Sequence, residues 1–230
     1  QMGELEVAEE RTRHGLALLE EAAPEDHAAR AMALNNLGII AAERGRWEEA
    51  EGLYRGALEA RRGVGEGSLE VAASLNSMGN VAAARGELER AAEVYLRELE
   101  ITADQAPMSL REARGHHDLG VVRRRQGRPE DARRRLERAL ELRSRLAPGS
   151  AAEAETLHQL ALLHRGAGRV EAALESFTRA AAALEAQVGR VGGAHQRRSR
   201  YRASHHEIHR DLVDLLLQLG RPEEAFAGLE

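Results

Sequence analysis

The sequence predicts an all-α solenoid of antiparallel helix pairs, and three regularities in its 230 residues point to it. Gly45, Gly86, Gly127 and Gly168 are spaced 41 residues apart. Ala50, Ala91, Ala132 and Ala173 each follow five residues later. Ahead of each glycine, apolar residues recur at i, i+3 and i+4, the mark of a helix with one buried face. Self-similarity at a fixed period of about 20 to 50 residues belongs to stacked repeats and not to a single-core globule. Such arrays offer an extended surface for binding.

From the N-terminus, 1–22 reads as a half-repeat, a B helix in which Gly3 and Ala8 correspond to Gly45 and Ala50. The first full repeat, 23–65, puts Leu34, Leu37 and Gly38 on helix A, Gly45 at the turn, and Ala50, Tyr54 and Ala57 on helix B. The second, 66–106, carries Leu75, Met78, Gly79, Gly86, Ala91 and Tyr95, with Glu98 where alanine is expected. The third, 107–147, carries His116, Leu119, Gly120, Gly127, Ala132, Leu136 and Ala139. The fourth, 148–188, carries Leu157, Leu160, Ala161, Gly168, Ala173, Phe177 and Ala180. A Gly/Arg-rich insertion, 189–200, precedes a terminal repeat-like segment, 201–230, with His209, Leu212, Val213, Gly220 and Ala225. The unpaired first helix and the Leu229-Glu230 stop inside a B helix read as cuts from something longer.

Each position has a local cause. The recurring glycine supplies the left-handed residue that ends helix A. Pro129 and Pro222 fall in the first turn of helix B, where a missing N–H costs nothing. Gly38, Gly79, Ala50 and Ala91 are small enough to let paired helices approach. Ser109 with Glu112, and Ser150 with Glu153, form capping boxes. Pro107 and Pro148 stop the helices before them.

Composition narrows the function. The chain has no cysteine, which excludes disulfides and thiol catalysis. No apolar run reaches the roughly 18 residues of a membrane span, and the start lacks a signal-peptide layout. A cytoplasmic protein without membrane contact is expected. Net charge is −5, unevenly spread: residues 1–60 hold 13 acids against 6 arginines, and 101–150 hold 12 arginines against 7 acids. Every fixed cation is an arginine, whose fork suits carboxylate and phosphate partners.

The motif Leu34-x-x-Leu37-Gly38, then Ala50-x-x-x-Tyr54-x-x-Ala57, resembles the tetratricopeptide (TPR) repeat, and the resemblance spans the chain. It implies a right-handed superhelical TPR array with a period of about 41 in place of the usual 34. The distance from Gly38 to Ala57 is 19, as the shorter motif requires, so the extra residues lie between helix B and the next helix A. Long units of this kind resemble the TPRs of kinesin light chains and of bacterial TPR–CHAT proteins. HEAT repeats share the longer period but lack the Gly…Ala register. The segment from Gly189 to Leu229 resembles the last repeat before the caspase-like protease of CHAT proteins.

The chain is expected not to be an enzyme, and to need no cofactor or metal. His205 and His209 share a helix face, as two zinc ligands would, but Arg210 stands where a metalloprotease helix needs its second histidine. His116 and His209 occupy leucine positions and read as packing substitutes. Gly63, Gly65 and Gly67 lack the lysine and strand of a phosphate loop.

By the resemblance, helix A lines a concave groove that grips a protein or peptide ligand. Repeat one supplies Asn35, Asn36 and Ile39, and repeat two Asn76 and Asn80. Repeat three supplies Arg114, His117, Val121, Arg124 and Arg125, and repeat four His158 and Arg165. Asparagine disfavours helix interiors, but its amide both donates and accepts and can pair with an extended peptide backbone. Arg114, Arg124 and Arg125 are expected to receive acidic groups. Arg133, Arg134 and Arg135 lie on helix B without interleaved aromatics, which argues against nucleic acid. The sequence therefore reads as a non-catalytic interaction scaffold, the recognition arm of a larger bacterial effector such as a CHAT protease. Two alternatives stand beside it: homo-oligomerisation through the exposed end repeats, and the sensor arm of a signalling ATPase or transcription regulator.

Overall fold

The computed structural model describes residues 2–61, 67–190 and 206–227. It contains helices and no strand among them. Two compact units divide the chain, Gln1–Pro107 and Met108–Glu230.

Unit 1 holds α1 (Met2–Ala22), α2 (His27–Glu43), α3 (Trp47–Ala60), α4 (Leu69–Ala84) and α5 (Leu88–Gln105). The A helices are α2 and α4. Each packs most closely on the B helix that follows it, α3 or α5, and α1 covers the open side of α2. Unit 2 holds α6 (Leu110–Arg125), α7 (Pro129–Leu146), α8 (Ala151–Gly166), α9 (Val170–Arg190), α10 (His206–Gln218) and α11 (Pro222–Ala227). Its A helices are α6, α8 and α10, paired with α7, α9 and α11.

The turn between paired helices is the same each time. Gly45 has φ +71°, its N–H bonds to Ala42 O, and the Arg46 N–H reaches back to Ala41 O. Gly86, Gly127, Gly168 and Gly220 repeat this pair of bonds, which closes the last carbonyls of an A helix. Only a residue that tolerates positive φ can sit there, so the glycine period is a period of helix ends.

A helices open on Asp26, Ser68, Ser109 and Ser150, each accepting the N–H three residues on. Glu112 Oε2 takes the N–H of Met108, and Glu153 Oε2 that of Gly149, each one residue ahead of the capping serine. Gly149 has φ +67°, and Met108, at the equivalent place one repeat earlier, is forced to φ +55°.

Within a pair, helix B inserts a ring or branched side chain against a glycine of helix A. A Cβ on Gly38 would lie 2.6 Å from Tyr54, one on Gly79 2.5 Å from Tyr95, and one on Gly120 2.7 Å from Leu136. Tyr54, Tyr95, Leu136 and Phe177 are all buried. With only two phenylalanines and one tryptophan, close helix approach on alanine supplies the rest of the core.

Of the histidines at leucine positions, His116 lies 3.6 Å from Glu112 Oε1, and burial with Arg135 nearby pushes its pKa down to about 4. His209 lies 3.5 Å from Glu185 Oε1. His205, the glycines 63 and 65, the insertion from 191 onward, Leu229 and Glu230 lie outside the described residues.

Candidate partner-binding face

An A helix has one stripe that the other helices of its unit leave at least partly open. On α2 it runs through Met32, Asn36, Ile39 and Glu43, spaced for a single face. Met32 is 58 % and Ile39 40 % exposed, high for large apolar side chains, with the Asn36 amide between them. On α4 the equivalent positions, one repeat on, are Ala73, Ser77, Asn80 and Ala84. The unit 1 face is thus neutral apart from Glu43 at its end.

In unit 2 the same stripe is charged. On α6 it reads Arg114, Asp118, Val121 and Arg125, and on α8 Glu155, Gln159, Leu162 and Gly166. Arg114 and Arg125 are exposed, and Val121 is half-buried between them. Arg124 lies to one side, half-buried, donating from Nε to Gln159 Oε1 at 3.1 Å. Burial, and then neighbouring Arg125, lower its pKa.

Asn35, Asn76, His117 and His158 hold equivalent sequence positions, one in each repeat, and the structure puts Asn35, His117 and His158 in seams between successive A helices of their own unit. Ser74 Oγ of α4 lies 3.3 Å from Asn35 Oδ1 of α2. Asn76 is buried. His117 Nδ1 of α6 meets Thr156 Oγ1 of α8 at 3.2 Å, and burial with Arg143 nearby pushes the imidazole down to about 3. His158 is 7 % exposed, with Nε2 2.8 Å from Asp211 Oδ2 of α10 and its ring 5.6 Å from Phe177. Arg165 also reaches Phe177, its guanidinium carbon standing over the ring 5.7 Å from the ring centre. Asn80 Oδ1 accepts the Tyr95 hydroxyl at 2.6 Å.

Two arginines at the ends of B helices complete the seams. Arg143 is 5 % exposed and donates from Nη1 to Ala152 O at 2.6 Å and Thr156 Oγ1 at 2.5 Å. Arg61, its counterpart two repeats earlier, donates to Glu70 O at 3.0 Å and to Ser74 Oγ. Position-by-position reading of single repeats missed these arginines, Ser74, Thr156 and Asp211. The available signal was the double period: Asn35, Arg61 and Ser74 recur two repeats on as His117, Arg143 and Thr156.

Carboxylates tie the outer side of unit 1. Glu9 of α1 accepts Arg44 at 2.6 Å, Arg46 at 2.7 Å and Arg13 at 2.9 Å. Arg46 first, then Arg13, holds its carboxyl at about 2. Glu51 of α3 accepts Arg55 at 2.6 Å and Arg90 at 2.7 Å, and Arg90 foremost lowers its pKa. Among the described residues no group of three potential ligands is placed to hold a metal ion, and no helix is long and apolar enough to cross a membrane.

Helix pairs closed by glycine turns and stacked at this spacing define a helical repeat scaffold. The chain belongs to the tetratricopeptide repeat family, whose model matches residues 29–104 and 111–186. The two matched stretches are offset by two repeats, the same double period as the seam contacts. No curated protein matches the sequence. Among solved structures, BtubC (BKLC) from P. vanneervenii is 21 % identical, with a TM-score of 0.76 over 99 % of this chain and 86 % of that one. A kinesin light chain protein of nearly identical TPR-like repeats from Podospora anserina is 18 % identical, with a TM-score of 0.68 over 81 % and 90 %. MamA from Desulfovibrio magneticus RS-1 is 17 % identical, with a TM-score of 0.57 over 86 % and 90 %. At these identities the likeness is one of fold.

Proposed function

We propose that this chain is a non-catalytic scaffold that binds an extended protein segment on the exposed stripes of its A helices, in the concave groove expected of a TPR array. The observation that carries this reading is the stripe of α2, where Met32 and Ile39 leave large apolar surface open around the Asn36 amide. A segment lying there would bury apolar side chains while the amide pairs with its backbone. On α6, Arg114 and Arg125 favour acidic side chains in the segment bound there. The resemblance of 189–229 to the repeat before a CHAT protease supports a role as the recognition arm of a cytoplasmic bacterial effector.

A displayed library of random peptides panned against the full chain tests this. Selected clones are expected to lose binding to Met32→Asp or Arg114→Glu and to keep it for Arg134→Glu, an exposed B-helix control. Clones indifferent to Met32 and Arg114, or lost equally with Arg134, would refute the assignment of the face.

Self-association is the second reading, favoured by Val7 and Leu18, both about half exposed on α1. A solution mass of 25.2 kDa would leave only the scaffold reading.

A further inference from the structure

The same polar tie is built twice in this protein, with one exchange. In unit 1, Ser74 Oγ receives the Arg61 guanidinium and lies 3.3 Å from Asn35 Oδ1. In unit 2, Thr156 Oγ1 receives Arg143 Nη1 and lies 3.2 Å from His117 Nδ1. An amide holds the position in one unit and an imidazole holds it in the other. Only the imidazole can take up a proton.

We propose that the α6–α8 junction of unit 2 is a proton-sensitive joint, which acid opens by charging His117 against the buried Arg143 guanidinium. The α2–α4 junction of unit 1, built on Asn35, is indifferent to the same change.

The groups around His117 decide the direction. From α7 comes Arg143, a cation with two of its bonds fixed on α8. From α8 comes the neutral Thr156, while Arg143 itself is acted on by Glu155 of α8 and by Asp118 and Arg114 of α6. Burial foremost disfavours the charged form of Arg143 and Arg114 adds to this, together outweighing the two acids, which favour it. On His117, burial and then Arg143 both favour the neutral ring, to about 3. His116, next along α6, faces Arg135 and Arg138 of α7 and Glu112 of its own helix. It belongs to the contact of α6 with α7, which an opening between α6 and α8 leaves in place.

Once the junction opens, His117 returns to water and to an ordinary value of about 6.5. Between that pH and about 3 the open form therefore binds one more proton than the closed form. The open population then rises about tenfold for each pH unit of acidification.

Amide hydrogen exchange on the full chain from pH 6.5 to 4.5, corrected for intrinsic exchange, reads this directly. Protection in α6 and α8 is expected to fall about tenfold per pH unit, while α2 and α4 hold theirs. His117→Asn, which copies the unit 1 tie, is expected to flatten the unit 2 slope. Equal slopes in the two units, or an unchanged slope in His117→Asn, would overturn the proposal. Should that variant fail to fold, NMR titration of His117 in the natural chain decides. An imidazole still neutral at pH 5 supports the joint, and one titrating near 6.5 in the folded protein removes it.

Discussion

Units 1 and 2 are built from the same helix pair, yet they hold successive repeats together by different chemistry. Both bury a hydroxyl that receives an arginine from the end of a B helix, Ser74 with Arg61 and Thr156 with Arg143. Beyond that, unit 1 relies on carboxylates gripped by arginines, at Glu9 and Glu51, on its outer side. Unit 2 relies on histidines in its seams, His117 on Thr156 and His158 on Asp211. A repeat sequence thus fixes where two helices must be joined while leaving the joining group free to vary. The lesson is that equivalent positions share geometry and not ionisation.

The largest expected effect comes from the arginine common to both units. Arg143→Ala would strip a buried hydroxyl and a carbonyl of a charged donor and cost about 2–3 kcal/mol. Arg61→Ala, at a more exposed site, would cost about half as much. Equal costs in urea unfolding would mean that burial does not separate the two ties.

Acid should separate the units next. His116 and His117 have folded pKa values, about 4 and about 3, below the ordinary 6.5. The unfolded chain therefore takes up protons first, and their contribution, complete above pH 6.5, drains as pH falls toward 3. Glu9, held at about 2 against an ordinary 4.5, contributes fully above 4.5 and loses that contribution only as pH falls toward 2. From pH 7 to 5, the helical signal of the whole chain should lose thermal stability before the fluorescence of Trp47, the one tryptophan, which lies in unit 1. Coincident shifts in both signals would erase the distinction.

The smallest effect is local. Met108→Gly should raise the midpoint by about 1–4 °C, since glycine relieves the positive φ that Gly149 accepts without cost one repeat later. A lower midpoint would show that the Met108 contact with Arg138, 3.0 Å away, outweighs the backbone strain.

Much of the fold was readable from residues alone. Gly45 and its four successors mark helix ends because a left-handed residue must follow the last helical turn there, whatever the helix packs against. Ser109 and Ser150 announce helix starts for the same reason, since the bonds they satisfy lie within three residues. The candidate face was only half readable. Asn35 and Asn36 are adjacent in sequence, but a helix turns about 100° per residue, so one enters the seam and the other faces outward. Arg124 and Arg125 part in the same way, one toward Gln159 and the other exposed.

By itself, then, the sequence determined the helix pair, its turn and its repeat length, because each depends on backbone hydrogen bonds and sterics closed within a few residues. Only the tertiary structure decided that Asn35, His117 and His158 belong to the seams. Their partners are not local: Ser74 and Thr156 lie 39 residues further along, and Asp211 lies 53 residues beyond His158. A polar residue at the edge of a helix stripe has no intrinsic preference between water and a hydroxyl on a neighbouring helix. The neighbour's placement makes that choice.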